Sequence, residues 1–244
     1  MISAVIKDKM KATFIHLGIS VILAVICYMI ITNAWYPAPL FKATDVSKIF
    51  IMILAVDLVL GPLLTFIVYK KNKKTLMMDL SVIALFQLSA LGYGLYSVYE
   101  ARPVWIAYVV DRFELVRVNE LIDDPEHPMV LPTFGPEYRY VDVSTDNPNE
   151  QLDIIMTETN YGIGPAQRPK LYRDFEAAKP LIIKNSLQLA ELSQYNSSIK
   201  IDKITGKYPQ ADSFLPLTSN KDMTVLINKN KGGTVVAIVD LRPW

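Results

Sequence analysis

Hydrophobic positions are distributed along this chain in two ways. Through residues 1–100 they come in three runs, 12–31, 49–69 and 75–99. Each is about the twenty residues that a helix, rising about 1.5 Å per residue, needs to cross the hydrocarbon of a bilayer. After residue 100 the runs shorten, alternate with polar positions and are divided by Gly, Pro, Asn and Asp, which is the pattern of strands and turns. The first pattern predicts three transmembrane helices. The second predicts a small α+β domain over residues 101–244, with helices packed on one face of an antiparallel sheet.

Within that second domain, residues 104–118 read as two strands separated by Asp111-Arg112, and residues 137–143 as a third. Asn147, followed by Pro148 and Glu150, opens a helix running to about Glu158. Residues 119–136 and 160–170 are rich in proline and glycine and read as loops. Residues 172–195 read as helix-rich, with Pro180 starting or kinking a helix, and residues 196–221 as irregular. A hairpin closes the chain, 223–228 and 234–241 around a turn at 229–233.

Charge orients the first half. Residues 1–100 hold nine lysines against five carboxylates, and residues 101–244 hold sixteen basic against nineteen acidic side chains. The basic excess sits beside the apolar runs, at Lys7, Lys9 and Lys11 and at Lys70, Lys71, Lys73 and Lys74. It is therefore an orienting signal, not a nucleic-acid patch. Both basic segments fall on one side when three helices alternate, and the positive-inside rule makes that side the cytoplasm. The loop 32–48 and the whole of 101–244 then face the periplasm of a bacterial inner membrane. The first run is long enough to span and no small-x-small cleavage site follows it, so it reads as a retained helix and not a signal peptide. The single cysteine, Cys27, excludes an intrachain disulfide, and with only His16 and His127 a metal centre or a catalytic triad has little to draw on.

Four features interrupt the apolar runs. Asp57 and the pair Gly61-Pro62 lie in the second, and Asp79 and Gln87 in the third. A carboxyl inside a membrane is costly and needs a reason. Asp57 and Gln87 are each twelve residues from the basic end of their helices, roughly 18 Å up, so they stand at one height. Asp79 is roughly 12 Å lower, in a shallow layer with His16 and the basic turn. That difference speaks against an aspartyl protease, whose two carboxylates share a proton at one depth. Two readings of Asp57 and Gln87 remain: a polar clasp between helices two and three, or a docking point for a polar group on another membrane helix. Asp79 reads as paired with a nearby lysine and His16 as a satisfied interfacial histidine. Gly61-Pro62 reads as a kink that frees backbone carbonyls locally, and Gly92 and Gly94 as points of close helix approach. In the second domain Gly162-x-Gly164 is a loop and not a phosphate cradle, and Asp123-Asp124-Pro125-Glu126 is a solvated acidic loop.

Taken together, Asp57-Leu58-Val59-Leu60-Gly61-Pro62-Leu63-Leu64, Asp79-Leu80 opening the third helix, Gln87, Tyr93-Gly94, Arg102-Pro103 and the aromatic strand from Trp105 to Val109 form an ordered series. Over roughly residues 10–118 this series resembles the type IV pilin accessory protein family, TfpX/TfpZ. The resemblance implies a non-enzymatic inner-membrane chaperone or assembly factor in fimbrium biogenesis, without cofactor or metal. Its implied partners are a type IV major pilin, other pilus-assembly proteins and the lipid bilayer, with no nucleic acid. It also implies partner contacts at Asp57, Gly61, Pro62, Asp79, Gln87, Tyr93 and Arg102. The alternative is a membrane-anchored sensor with a periplasmic input domain, for which the chain offers almost no cytoplasmic output module.

Overall fold

A computed structural model describes the backbone of residues 2–244 and the side chains of residues 5–244. The chain divides into two compact units. One comprises residues 1–34 and 45–100; the other comprises Trp35–Thr44 and Ala101–Trp244.

The first unit is helical. α1 (Ile2–Ile30) runs on through a π-turn segment, Ile31–Trp35. After α2 (Leu40–Ala43), which belongs to the other unit, the second long helix is built in three pieces. These are α3 (Val46–Ala55), a π-turn segment Val56–Leu60, and α4 (Gly61–Val68). α5 (Leu76–Glu100) completes the unit. Three stretches, Val5–Trp35, Val46–Val68 and Leu76–Glu100, are long and apolar enough to cross a membrane. α4 packs between α1 and α5, and α3 packs on α5.

The second unit is an eight-stranded sheet with helices. Its strands are β1 (Pro103–Val109), β2 (Arg112–Arg117), β3 (Glu137–Val141), β4 (Tyr172–Arg173), β5 (Leu187–Gln188), β6 (Ser213–Thr218), β7 (Met223–Asn228) and β8 (Thr234–Val239). Their order is β4-β3-β1-β2-β6-β7-β8, with β5 also on β6. The sheet is mixed, which corrects the antiparallel expectation: β1 pairs parallel to β3, and β2 parallel to β6. Hairpins such as β1–β2 and β7–β8 force antiparallel pairing, but a long connection can return its strand in either sense. The β2–β3 connection and the stretch leading to β6 are of the long kind. Both faces are covered, so the strands read as nearly continuous apolar runs. Ile106, Tyr108, Leu215, Leu217, Val225 and Ile227 point to one face, where Ala178 and Ile182 of the α7 (Lys179–Asn185) region cover them. Trp105, Ala107 and Val109 point to the other.

Two further corrections concern segments between strands. Residues 196–221 are not irregular, since they contain α8 (Ser198–Thr205) and β6. Within 172–195 only α7, which Pro180 enters in its first turn, is α-helix. The helix opened by Asn147 is α6 (Pro148–Tyr161), and the Asn147 side chain accepts from the Asn149 N–H. Gly162, with φ of 67°, ends it in the left-handed conformation that a C-terminal cap requires.

The loop after α1 is more than a connector. Leu40 and Ala43 of α2 are buried in the sheet's main core beside Ile106 and Tyr108. The Lys221 N–H donates to the Ala43 carbonyl, and Lys42 pairs with Asp240. The sheet unit is therefore assembled from two separate pieces of chain.

Candidate functional site: a polar clasp in the helical unit

The middle of the second long helix explains its own polar residues. In a π-turn the N–H of residue i+5 replaces that of i+4 as donor to carbonyl i. Over Val56–Leu60 this moves the donor next in line for the Asp57 carbonyl to residue 62, which is Pro62 and has no N–H. The orphaned carbonyl must find a donor elsewhere. Gln87 of α5 supplies it: its Nε2 lies 3.3 Å from the Asp57 carbonyl oxygen and 3.4 Å from Asp57 Oδ1. Gly61 makes the approach possible, because a Cβ at that position would overlap the Gln87 amide. Asp57, Gly61, Pro62 and Gln87 thus form one device, in which the sequence that disrupts the helix ladder also provides its repair. Asp57 is 7% exposed.

The rest of the helical unit is joined by similar pairs. His16 Nδ1 lies 2.6 Å from Thr65 Oγ1, linking α1 to α4. Lys9 donates to the Ile67 carbonyl, and its ammonium sits 5.4 Å above the Phe66 ring. Lys71 pairs with Asp8 at 3.5 Å. Asp79 is held by Lys73 at 2.6 Å and by the Thr75 hydroxyl. Towards the far end, a Cβ on Gly94 would stand 2.6 Å from Ile53 Cδ1, so a larger residue there would have to displace the Ile53 side chain of α3.

Of the residues singled out from the sequence, Asp57, Gly61, Pro62 and Gln87 come together. Asp79 lies apart from them, in its own ion pair. Tyr93 is 73% exposed on α5 and touches none of this cluster's hydrogen bonds. Arg102 belongs to the sheet unit, buried, with Nε and Nη2 both 3.3 Å from the Pro132 carbonyl oxygen. Sequence reasoning missed Thr65, whose signal was a hydroxyl in an apolar run at a depth similar to that of His16. It also missed the π-turn, which Pro62 five residues beyond Asp57 could have suggested.

Two cavities lie between α1 and α5. One, of about 530 Å³, is lined by Lys11, Lys71, His16 and Tyr69 among polar groups. A smaller one, of about 140 Å³, is lined by Asp57, Gln87, Leu23, Leu88 and Leu91. In the sheet unit a cleft of about 230 Å³ is bordered by His127, Asp142, Lys170 and Arg173. There the Asp142 carboxyl lies below the usual carboxylate range, chiefly because the Ser144 hydroxyl donates to it. Asp124 of the acidic loop accepts from the Glu126 and His127 N–H groups and from the His127 ring, so it organises its own turn. Among the described residues no group of three or more His, Cys, Asp or Glu side chains could hold a metal ion.

Comparison with known proteins agrees on one family. The family model described as "Fimbrial assembly protein FimB" matches residues 4–44. The fimbrial assembly protein of Dichelobacter nodosus serogroup I is 31% identical over 247 residues, spanning 94% of this chain and 95% of its own. That of serogroup E1 is 31% identical over 245 residues, with the same shares of each chain. The protein of serogroups C1 and C2 is 35% identical over 116 residues, which is 47% of this chain and 88% of its own. No solved structure matches the chain. With similarity at this level running nearly end to end, the chain belongs to the fimbrial assembly protein family.

Proposed function

We propose that this protein is an inner-membrane assembly factor of a type IV pilus, of the TfpX/TfpZ kind, that holds a cognate major pilin and supports its stability or incorporation. The observation that carries this reading is the nearly full-length similarity to fimbrial assembly proteins. The three apolar helices and the two lysine-rich segments support a multi-pass arrangement with a cytoplasmic N-terminus and a periplasmic sheet domain. The protein acts by binding and not by catalysis.

A pilin client brings an apolar helix in the membrane and a folded head outside it. The client helix packs along α5, where Tyr93 is exposed and a Cβ on Gly92 would meet nothing within 4 Å, leaving room for a neighbouring backbone. The Asp57–Gln87 clasp and Gly61-Pro62 set the pitch of the second helix against that surface. Asp79 ties the cytoplasmic end of α5 to Lys73, and Arg102 orders the first residues outside. The sheet domain meets the pilin head. The test is co-purification with the cognate pilin, repeated with Asp57→Ala, with Tyr93→Ala and with residues 101–244 deleted. Recovery should fall in each; unchanged recovery in all three would refute the reading.

A further inference from the structure

The two cavities between α1 and α5 form a graded groove. They share His16, Ile19 and Ala84, so the larger continues into the smaller. The larger is headed by Lys11, Lys71 and Tyr69, with Asp8 at its rim, and floored by Ile15, Leu80 and Ala84. The smaller is walled by Leu23, Leu88 and Leu91, with Asp57 and Gln87 also lining it. The cationic groups thus lie at one end, and at the other is a mostly aliphatic channel that also meets Ser20, Asp57 and Gln87.

Length identifies the occupant. From Lys11 to Leu23 is twelve helical residues, roughly 18 Å. That is close to half of a hydrocarbon core about 30 Å thick, plus an interfacial layer. Beyond it, Cys27 and Ile31 are buried and Ile53 packs against Gly94, so the helical unit has no continuation of the groove there. A transmembrane helix would need a groove of full membrane thickness. A single acyl chain needs one leaflet, with its phosphate at the lysines.

We propose that this groove binds one anionic phospholipid, with the phosphate at Lys11 and Lys71 and an acyl chain running along Ile15, Ile19 and Leu88 to the level of Asp57. The proposal rests on the membrane-spanning reading above and on its lysine-rich end being cytoplasmic, but not on the identity of the pilin. Basic pockets between helices on the cytoplasmic side suit such headgroups. Asp8, 3.5 Å from Lys71, offsets one of the two cationic charges, and Lys11 carries the remaining net charge.

The full-length protein in detergent is titrated separately with phosphatidylglycerol, phosphatidylcholine and inorganic phosphate. Binding is followed by thermal unfolding and by native mass spectrometry. Phosphatidylglycerol should raise the Tm and remain bound as a single adduct, and the other two should do neither to the same extent. Lys11→Gln with Lys71→Gln should lower phosphatidylglycerol affinity roughly twenty- to thirtyfold, from about 1 kcal/mol per lysine. Ala84→Phe, which fills the point shared by both cavities, should abolish the adduct while leaving both lysines in place. Equal effects of the two lipids, an equal effect of inorganic phosphate, or an adduct that survives both sets of substitutions would each overturn the proposal. Pilin recovery bears only on the proposed function, so the two ideas fail separately.

Discussion

The helical unit and the sheet unit place their apolar residues in opposite ways. In the sheet unit all seven residues of β1 and all six of β7 are buried, and charged side chains lie mostly outside. In the helical unit large apolar side chains such as Ile22, Ile51, Leu85 and Phe86 are exposed, whereas Asp57, Thr65 and Ser20 are buried. In water, burying apolar area is the main favourable term, at about 25 cal/mol per Å². In lipid that term disappears between helices, and small residues and hydrogen bonds hold them together instead. The contrast is what the membrane-spanning reading requires, and it gives the same substitution different consequences in the two units.

The largest expected effect is in the sheet core. Leu40→Ala should destabilise the sheet unit by about 2–5 kcal/mol, because it leaves a cavity among Ile106, Tyr108 and their neighbours. The exposed Leu88 of α5 changed to Ala should cost no more than about 0.5 kcal/mol. Denaturant unfolding of the full-length protein in detergent compares them, and a reversed ranking would break the contrast. Leu40 carries a second consequence. A fragment starting at residue 101 lacks α2 and should be less stable than one to which residues 35–44 are fused.

Next comes steric fit between helices. Gly61→Leu should cost about 1–3 kcal/mol by driving a side chain into the Gln87 amide. Combining it with Gln87→Ala should recover part of that loss, as a double-mutant cycle would read. A smaller effect, about 0.6 kcal/mol, is expected for Gln87→Leu, the usual size of an interhelical hydrogen bond in a membrane. A loss of several kcal/mol there would mean that the orphaned Asp57 carbonyl matters more than a typical bond.

The smallest effect is pH-dependent and lies in the sheet unit. Burial pushes the Asp212 carboxyl up, but the Lys229 and Asn230 N–H groups and the Ser213 hydroxyl outweigh it and hold it below its ordinary value. A depressed folded value means the stabilisation is present above the unfolded value, about 3.9, and is lost as pH falls through the folded one. Asp212→Asn should therefore flatten the acid limb of the stability profile and loosen the β7–β8 turn, which Gly232 and Gly233 shape with φ of 71° and 72°. Identical acid unfolding curves for the two proteins would sink this account.

Much was legible from the sequence alone. Three apolar runs of spanning length, their basic flanks, the β1–β2 and β7–β8 hairpins and the Asn147 cap are local patterns, each set by periodicity or by the chemistry of a few neighbouring residues. The meeting of Asp57 with Gln87 was legible too, because a straight helix converts residue number into height. What the sequence left open depended on partners distant along the chain. The parallel pairings β1–β3 and β2–β6 are chosen by which strand edges remain free, and no local pattern encodes that. Four residues between two apolar runs become α2 of the sheet core only because Leu40 finds a pocket made of strands more than sixty positions away. Pro62 read as a kink that frees backbone carbonyls, and the freed carbonyl of Asp57 became meaningful once α5 brought an amide to it. Local composition determined the elements and which of them are long and apolar enough to cross a membrane. Tertiary structure decided which polar group answers which, because a hydrogen bond needs two partners in place and the sequence names only one at a time.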